Sequence, residues 1–172
     1  RTLKGLKPWL VVDTAGCGFD EVRSEEGGSV SNPDEASFVL DRAVEWLNLH
    51  PGMSVGIVAP YAAQVETLRE GWSERVRTQQ GLRQAAVTIH TVDGFQGQER
   101  DAMLVSLTRS NDKGEVGFLS ESRRIHVAQT RAKMACMLVG DSATLSTDPY
   151  LGWLLEHAQD RDAYDSAWSW MV

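Results

Sequence analysis

Cysteine is scarce in this 172-residue chain, which has only Cys17 and Cys136. Two thiols cannot build a disulfide framework or a zinc cage, so the expected compartment is intracellular and reducing, cytoplasmic or nuclear. Long apolar runs are also missing. No stretch approaches the roughly 20 residues of a membrane span, and Arg1-Thr2-Leu3-Lys4 does not read as a signal peptide, so no membrane partner is expected. There is no basic excess: 17 Lys+Arg stand against 24 Asp+Glu, a net charge of -7. That balance excludes a domain that grips nucleic acid alone through a broad basic face; any such contact has to be local or shared with a partner surface. Finally, no Gly-x-x-x-x-Gly-Lys-Ser/Thr occurs and no strand ends in an Asp-Glu pair. The lysine, hydroxyl and carboxylates of a phosphate-hydrolysing site are therefore absent, and the chain is not expected to cleave a nucleoside triphosphate unaided.

What remains is ordinary globular material, 42% hydrophobic and 24% charged, enough for one domain with a sizeable core. Short apolar runs alternate with helical periodicity. Strands are expected at residues 9–12, 54–59, 86–89, 102–107 and 135–139. Asn32-Pro33-Asp34-Glu35 supplies an N-cap, a proline at the first helical position and a glutamate placed to close a capping box. It starts a helix with Ala36, Leu40, Ala43 and Leu47 on one stripe. Pro60 is expected to open a second helix (Val65, Leu68, Trp72, Val76), residues 120–133 a third, and Pro149 a last one carrying Leu151, Leu154, Leu155 and Ala158. Apolar strands separated by helices predict a three-layer α/β domain around a mostly parallel sheet. The domain is expected over residues 1–159, followed by an acidic, Trp-containing tail at 160–172. The tail and residues 15–31 are expected to pack poorly.

Function in open α/β sheets collects at loops beyond the carboxyl ends of strands. After the second strand, Pro60, Tyr61 and Gln64 stand at a helix start, where free backbone N–H groups suit a phosphate and a tyrosine could stack on a base; an ordinary helix start is the simpler alternative. Between the third and fourth strands, Thr91-Val92-Asp93-Gly94-Phe95-Gln96-Gly97-Gln98-Glu99 holds more hydrogen-bonding groups than a simple connector needs; a solvated turn is the alternative, one that Phe95 at its middle fits poorly. In the third helix, Arg124 and Arg131 lie two turns apart on one flank, and residues 117–133 carry a local charge of +3, four cations against Glu121. Paired arginines suit a polyphosphate, although a solvated basic face would look the same. Gly16-Cys17-Gly18 is too short for a nucleotide fingerprint. No histidine is assigned a catalytic role, and no metal site is expected.

In order and at compatible spacing, these segments resemble the second RecA-like domain of superfamily 1 helicases, in the branch of the nonsense-mediated-decay and immunoglobulin-mu-binding-protein helicases. Val11–Gly18 and Asn32–Ala36 look like the start of that domain. Ile57–Tyr61 with Gln64 looks like motif IV, Thr91–Glu99 like motif V, and Arg123–Lys133 like motif VI with its lead-in at Gly114–Leu119. The resemblance implies a RecA-like, P-loop-NTPase-like fold without its own phosphate loop, acting as the C-terminal motor domain of an ATP-dependent RNA or DNA helicase. ATP and Mg²⁺ would be held mainly by a first RecA-like domain, and single-stranded RNA or DNA would be the other partner. It makes Arg131 the finger reaching the γ-phosphate, with Arg124 supporting it. Gly97, Gln98 and Glu99 would lie near the nucleotide, and Pro60, Tyr61, Gln64, Thr91 and Val92 along the strand path. Gln98, His126 and Gln129 depart from the family pattern, where arginine, asparagine and an aliphatic residue are usual. A non-catalytic scaffold derived from a helicase half is the alternative.

Overall fold

The computed structural model describes residues 5–25 and 28–171. Its centre is a six-stranded, wholly parallel sheet built from β1 (Trp9–Asp13), β4 (Ser54–Ala59), β5 (Ala86–Thr91), β6 (Arg100–Ser106), β7 (Ala132–Gly140) and β8 (Tyr164–Ser166). The order across the sheet is β5-β4-β6-β7-β1-β8. The short strands β2 (Val22–Arg23) and β3 (Val30–Ser31) pair antiparallel outside it, so part of the 15–31 stretch is ordered as a two-stranded ladder.

Two helices cover one face. α1 (Pro33–Leu49) buries Phe38, Val39, Leu40, Ala43, Trp46 and Leu47, and α2 (Ala62–Thr78) buries Val65 and Leu68. The opposite face carries α3 (Ser122–Thr130), the four-residue α4 (Ser142–Leu145) and α5 (Pro149–Asp160), through Ile125, Ala128, Leu145, Leu151, Leu154 and Ala158. The central strands are apolar on both faces because each face is covered, and each buried Val, Leu, Ile or Met side chain there contributes about 1.5–3 kcal/mol by leaving water. The three-layer α/β expectation is met.

Several local expectations need correction. The third helix stops at Thr130, with Arg131 as its C-cap, and Ala132 and Lys133 already belong to β7. Pairing decides this: Ala132 sits opposite Arg100 of β6, and ladder hydrogen bonds outweigh helix propensity at a helix end. The α2 helix begins at Ala62 with Tyr61 as N-cap, two residues later than Pro60 suggests. Asn32 does cap α1 by accepting from the Glu35 N–H, but Glu35 turns inward instead of closing the box. Part of the tail docks on the domain: β8 pairs in parallel with β1, the Tyr164 hydroxyl bonds the Asp13 carboxylate, and Trp170 meets the Phe38 ring edge-on at 5.7 Å, while Trp168 stays exposed. A last short helix, α6 (Trp168–Met171), ends the described chain.

Candidate functional site

The connection from β5 to β6 determines the geometry of the site. Both strands run the same way, so residues 92–99 must travel back along the sheet, about 16 Å for a strand of this length. They do so without an α-helix. The turn Asp93–Phe95 opens the crossing, with the Gly94 N–H bonded to Thr91 Oγ1 at 3.0 Å, and Gly97 takes a φ of +78° that favours glycine. Phe95 is buried over Gly56 of β4. A Cβ at Gly56 would lie 2.7 Å from the Phe95 ring and 2.5 Å from Met103 Sδ, so glycine is what lets the crossing lie flat on the sheet. The Arg100 guanidinium lies 5.0 Å from the Phe95 ring centroid.

At the far end of this crossing the chain reaches the last turn of α3. The Arg100 N–H donates to the Arg131 carbonyl at 3.0 Å, which brings Glu99 beside Arg131. Glu99 is exposed. Gln98 is tied down, donating to the Gly94 carbonyl and accepting from Arg100 Nη2. Arg131 is half-buried; its Nη2 makes only a long 3.4 Å contact with Thr130 Oγ1, and its Nε has no partner among the described residues. A guanidinium so weakly engaged inside its own domain fits an anionic ligand arriving from outside. Arg124 differs: it bonds Glu121 at 2.8 Å and Asp93 at 3.2 Å, across a cleft of about 240 Å³ lined also by Val92, Gln96, Arg123 and Val127. Among the described residues no three His, Cys, Asp or Glu side chains gather as a metal site.

The near end holds Thr91, half-exposed at the end of β5 and level with Ala59. Of the other residues expected to line a strand path, Pro60, Tyr61, Gln64 and Val92 are all buried. The Tyr61 hydroxyl donates to the Val116 carbonyl and accepts from Arg109 Nη1, so its ring is not a free stacking platform. Gln64 is fully enclosed. Its Oε1 accepts from the Asn32 N–H at 2.7 Å, and its Nε2 donates to the Asn32 carbonyl and to Ser106 Oγ. These two side chains brace the end of the sheet rather than line an open surface. Sequence reasoning also missed Arg69, which donates twice to the Ile89 carbonyl and lies 2.9 Å from His90 Nδ1 beside Thr91.

The bracing extends to two carboxylates, Glu35, which the sequence suggests only as a helix cap, and Glu21, which the sequence reading does not single out. Glu35 accepts from Ser106 Oγ at 2.6 Å and from the Thr108 N–H at 2.7 Å, while its second oxygen has no partner among the described residues. Burial, with Asp141 adding to it, outweighs these hydrogen bonds and pushes the pKa up to about 7. Glu21 has the opposite balance. Burial opposes its charge, but hydrogen bonds from Arg109, Asn111 and the Ser110 N–H prevail and hold its pKa below the ordinary range. Arg109 itself is buried, bonded at 3.0 Å to both Glu21 and Tyr61. A sequence signal for Glu35 did exist, because it falls in helical register with the buried Val39 and Trp46.

Residues 1–143 match the family described as AAA domain. DNA-binding protein SMUBP-2 of Mesocricetus auratus is 38% identical over 164 residues, covering 92% of this chain and 16% of that protein. Probable helicase MAGATAMA 3 of Arabidopsis thaliana is 38% identical over 156 residues, 85% of this chain and 19% of its own length. Regulator of nonsense transcripts 1 of Dictyostelium discoideum is 32% identical over 148 residues, 85% and 11% respectively. The chain thus spans under a fifth of these relatives. The solved C-terminal domain of a possible DNA helicase from Lactobacillus plantarum WCFS1 superposes with a TM-score of 0.53 at 16% identity, covering 94% of this chain and 86% of that one, which shows a shared fold. Among the described residues no helix is long and apolar enough to cross a membrane. The family match, the relatives and the parallel sheet agree: the chain belongs to the AAA-domain family as the second RecA-like domain of a superfamily 1 helicase, in the nonsense-mediated-decay and immunoglobulin-mu-binding-protein branch.

Proposed function

We propose that this domain is the C-terminal motor half of an ATP-dependent helicase, working inside the cell with a first RecA-like domain on single-stranded RNA or DNA. The observation that carries the reading is the placement of Arg131 beside Glu99, with the guanidinium barely engaged by its own domain. ATP supplies the phosphoanhydride whose hydrolysis drives movement, and the first domain holds it together with Mg²⁺. Arg131 reaches the γ-phosphate and stabilises the charge that builds up there, while Glu99, with Gly97 giving backbone access and Gln98 fixing the loop, faces the nucleotide. Arg124 supports the finger from the preceding turns of α3.

Thr91, with the backbone of Pro60 and Val92 around it, holds a phosphate of the strand. Phosphate contacts carry no base information, so this end is neutral between RNA and DNA. Tyr61 and Gln64 serve the same end indirectly, by fixing the backbone at the start of α2. The crossing from Thr91 to Glu99 therefore has strand at one end and nucleotide at the other.

The test is turnover in a protein carrying this domain next to a first RecA-like domain. Arg131→Ala is expected to lower nucleic-acid-stimulated hydrolysis about 10³-fold or more with ATP affinity much less affected. Equal losses in both, or retained turnover, would overturn the reading.

A further inference from the structure

The crossing is fastened to α3 at two places. Its end is held by the Arg100 N–H on the Arg131 carbonyl. Its beginning is held by Asp93, whose carboxylate lies 3.2 Å from Arg124 Nη1 on the first half of the same helix. Between the two, Phe95 is wedged against Gly56 and Met103, so the segment cannot simply slacken. Asp93 is next but one to Thr91, and the Thr91 hydroxyl accepts from the Gly94 N–H within the same turn. Any shift of Thr91 on gripping a phosphate thus has a short, stiff route to α3: the hydroxyl, the Asp93–Phe95 turn, the ion pair, then one rigid helix ending at Arg131.

The composition of the pair also points to positioning. The Asp93 side chain is 65% exposed and Arg124 31%, and exposed ion pairs add little to folding. Arg124 is also oriented by Glu121 at 2.8 Å, one turn back on its own helix border, so the guanidinium is clamped between loop and helix. A fork held by two carboxylates fixes direction far better than a single contact.

We propose that Asp93 is a positioning residue that couples strand binding to the placement of Arg131, acting through Arg124. This rests on the functional reading above. The experiment compares the parent protein, carrying both RecA-like domains, with Asp93→Asn, Arg124→Gln and the double variant. It measures basal turnover, turnover with saturating oligo-dT or oligo-U, strand affinity and melting temperature. Asp93→Asn is expected to cut the ratio of stimulated to basal turnover by about fivefold or more, the lower range of common coupling factors, with basal turnover and melting temperature near parental. In the Arg124→Gln background the same change is expected to add almost nothing, since both act on one link. A ratio left unchanged, an equal fall in basal and stimulated rates, or a full further loss in the double variant would each overturn the proposal. Stimulated turnover in the parent that vanishes in Arg131→Ala while Asp93→Asn behaves as parent would sink this proposal alone. A parent without stimulated turnover would sink the functional reading, and the proposal with it.

Discussion

Two arginines at opposite ends of the central strands illustrate how differently the same side chain is used. Arg109, near the carboxyl end of β6, is buried and bonded to Glu21 and Tyr61. Arg131, near the amino end of β7, has a long contact to Thr130 and an Nε without a partner among the described residues. The first closes a network and is part of the framework. The second is weakly held within its own domain, as the proposed finger role requires. Both were equally visible as letters in the sequence, and only burial and partners separate them.

That contrast can be broken, and the sharpest attempt is Arg131→Ala. The change should remove about 4 kcal/mol of transition-state stabilisation in the two-domain protein while leaving the melting curve of the domain nearly unchanged. Arg109→Met should do the reverse in part. Removing one partner of an enclosed pair strands Glu21 and costs about 3 kcal/mol of folding stability, read by urea unfolding. Should the two variants show similar stability losses, the distinction between framework and poised arginine is wrong.

A pH series sharpens the framework side. The raised pKa of Glu35 means the native state binds a proton that the unfolded state releases. Its contribution is present below the ordinary value of 4.5 and is lost as pH rises to about 7, about 2–3 kcal/mol over the window. Glu35→Gln should flatten stability across that range, whatever it does to the absolute value. Glu21, with its pKa lowered, acts in the other direction, stabilising above the ordinary carboxylate range and losing that contribution as pH falls through the lowered value. An unchanged slope in Glu35→Gln would show the carboxyl to be solvated after all.

The smallest effect is expected at Thr91→Val, which should weaken oligonucleotide binding several-fold, about 1 kcal/mol, with basal hydrolysis retained, as read by a binding titration. The removed hydroxyl also orders the Gly94 N–H, so a loss confined to binding would place the effect at the strand rather than in the turn.

Much of the fold was legible because its signals are local. Apolar β strands, the Asn32-Pro33 helix start and the Pro149 start each announce themselves within a few residues, and the parallel order follows from their alternation. The family motifs likewise marked Thr91–Glu99 and Arg123–Lys133. What escaped were consequences of pairing and burial. Ala132 and Lys133 continue a helical pattern on paper, yet a neighbouring strand claims them. Tyr61 and Gln64 stand where exposed contacts are expected, and become internal because Arg109, Val116, Asn32 and Ser106 converge on them from distant segments. Nothing in the acidic tail advertises that Tyr164–Ser166 will lie along β1.

That last strand also changes the edge of the sheet. With β8 in place, the flank of Val11–Asp13 is covered, and the Ala167 N–H caps the Asp13 carbonyl just beyond it. A version of the domain trimmed after α5 would bare the five-residue β1 as the sheet's edge, whereas β8 presents an edge of only three residues, a shorter template for a second copy to zip onto.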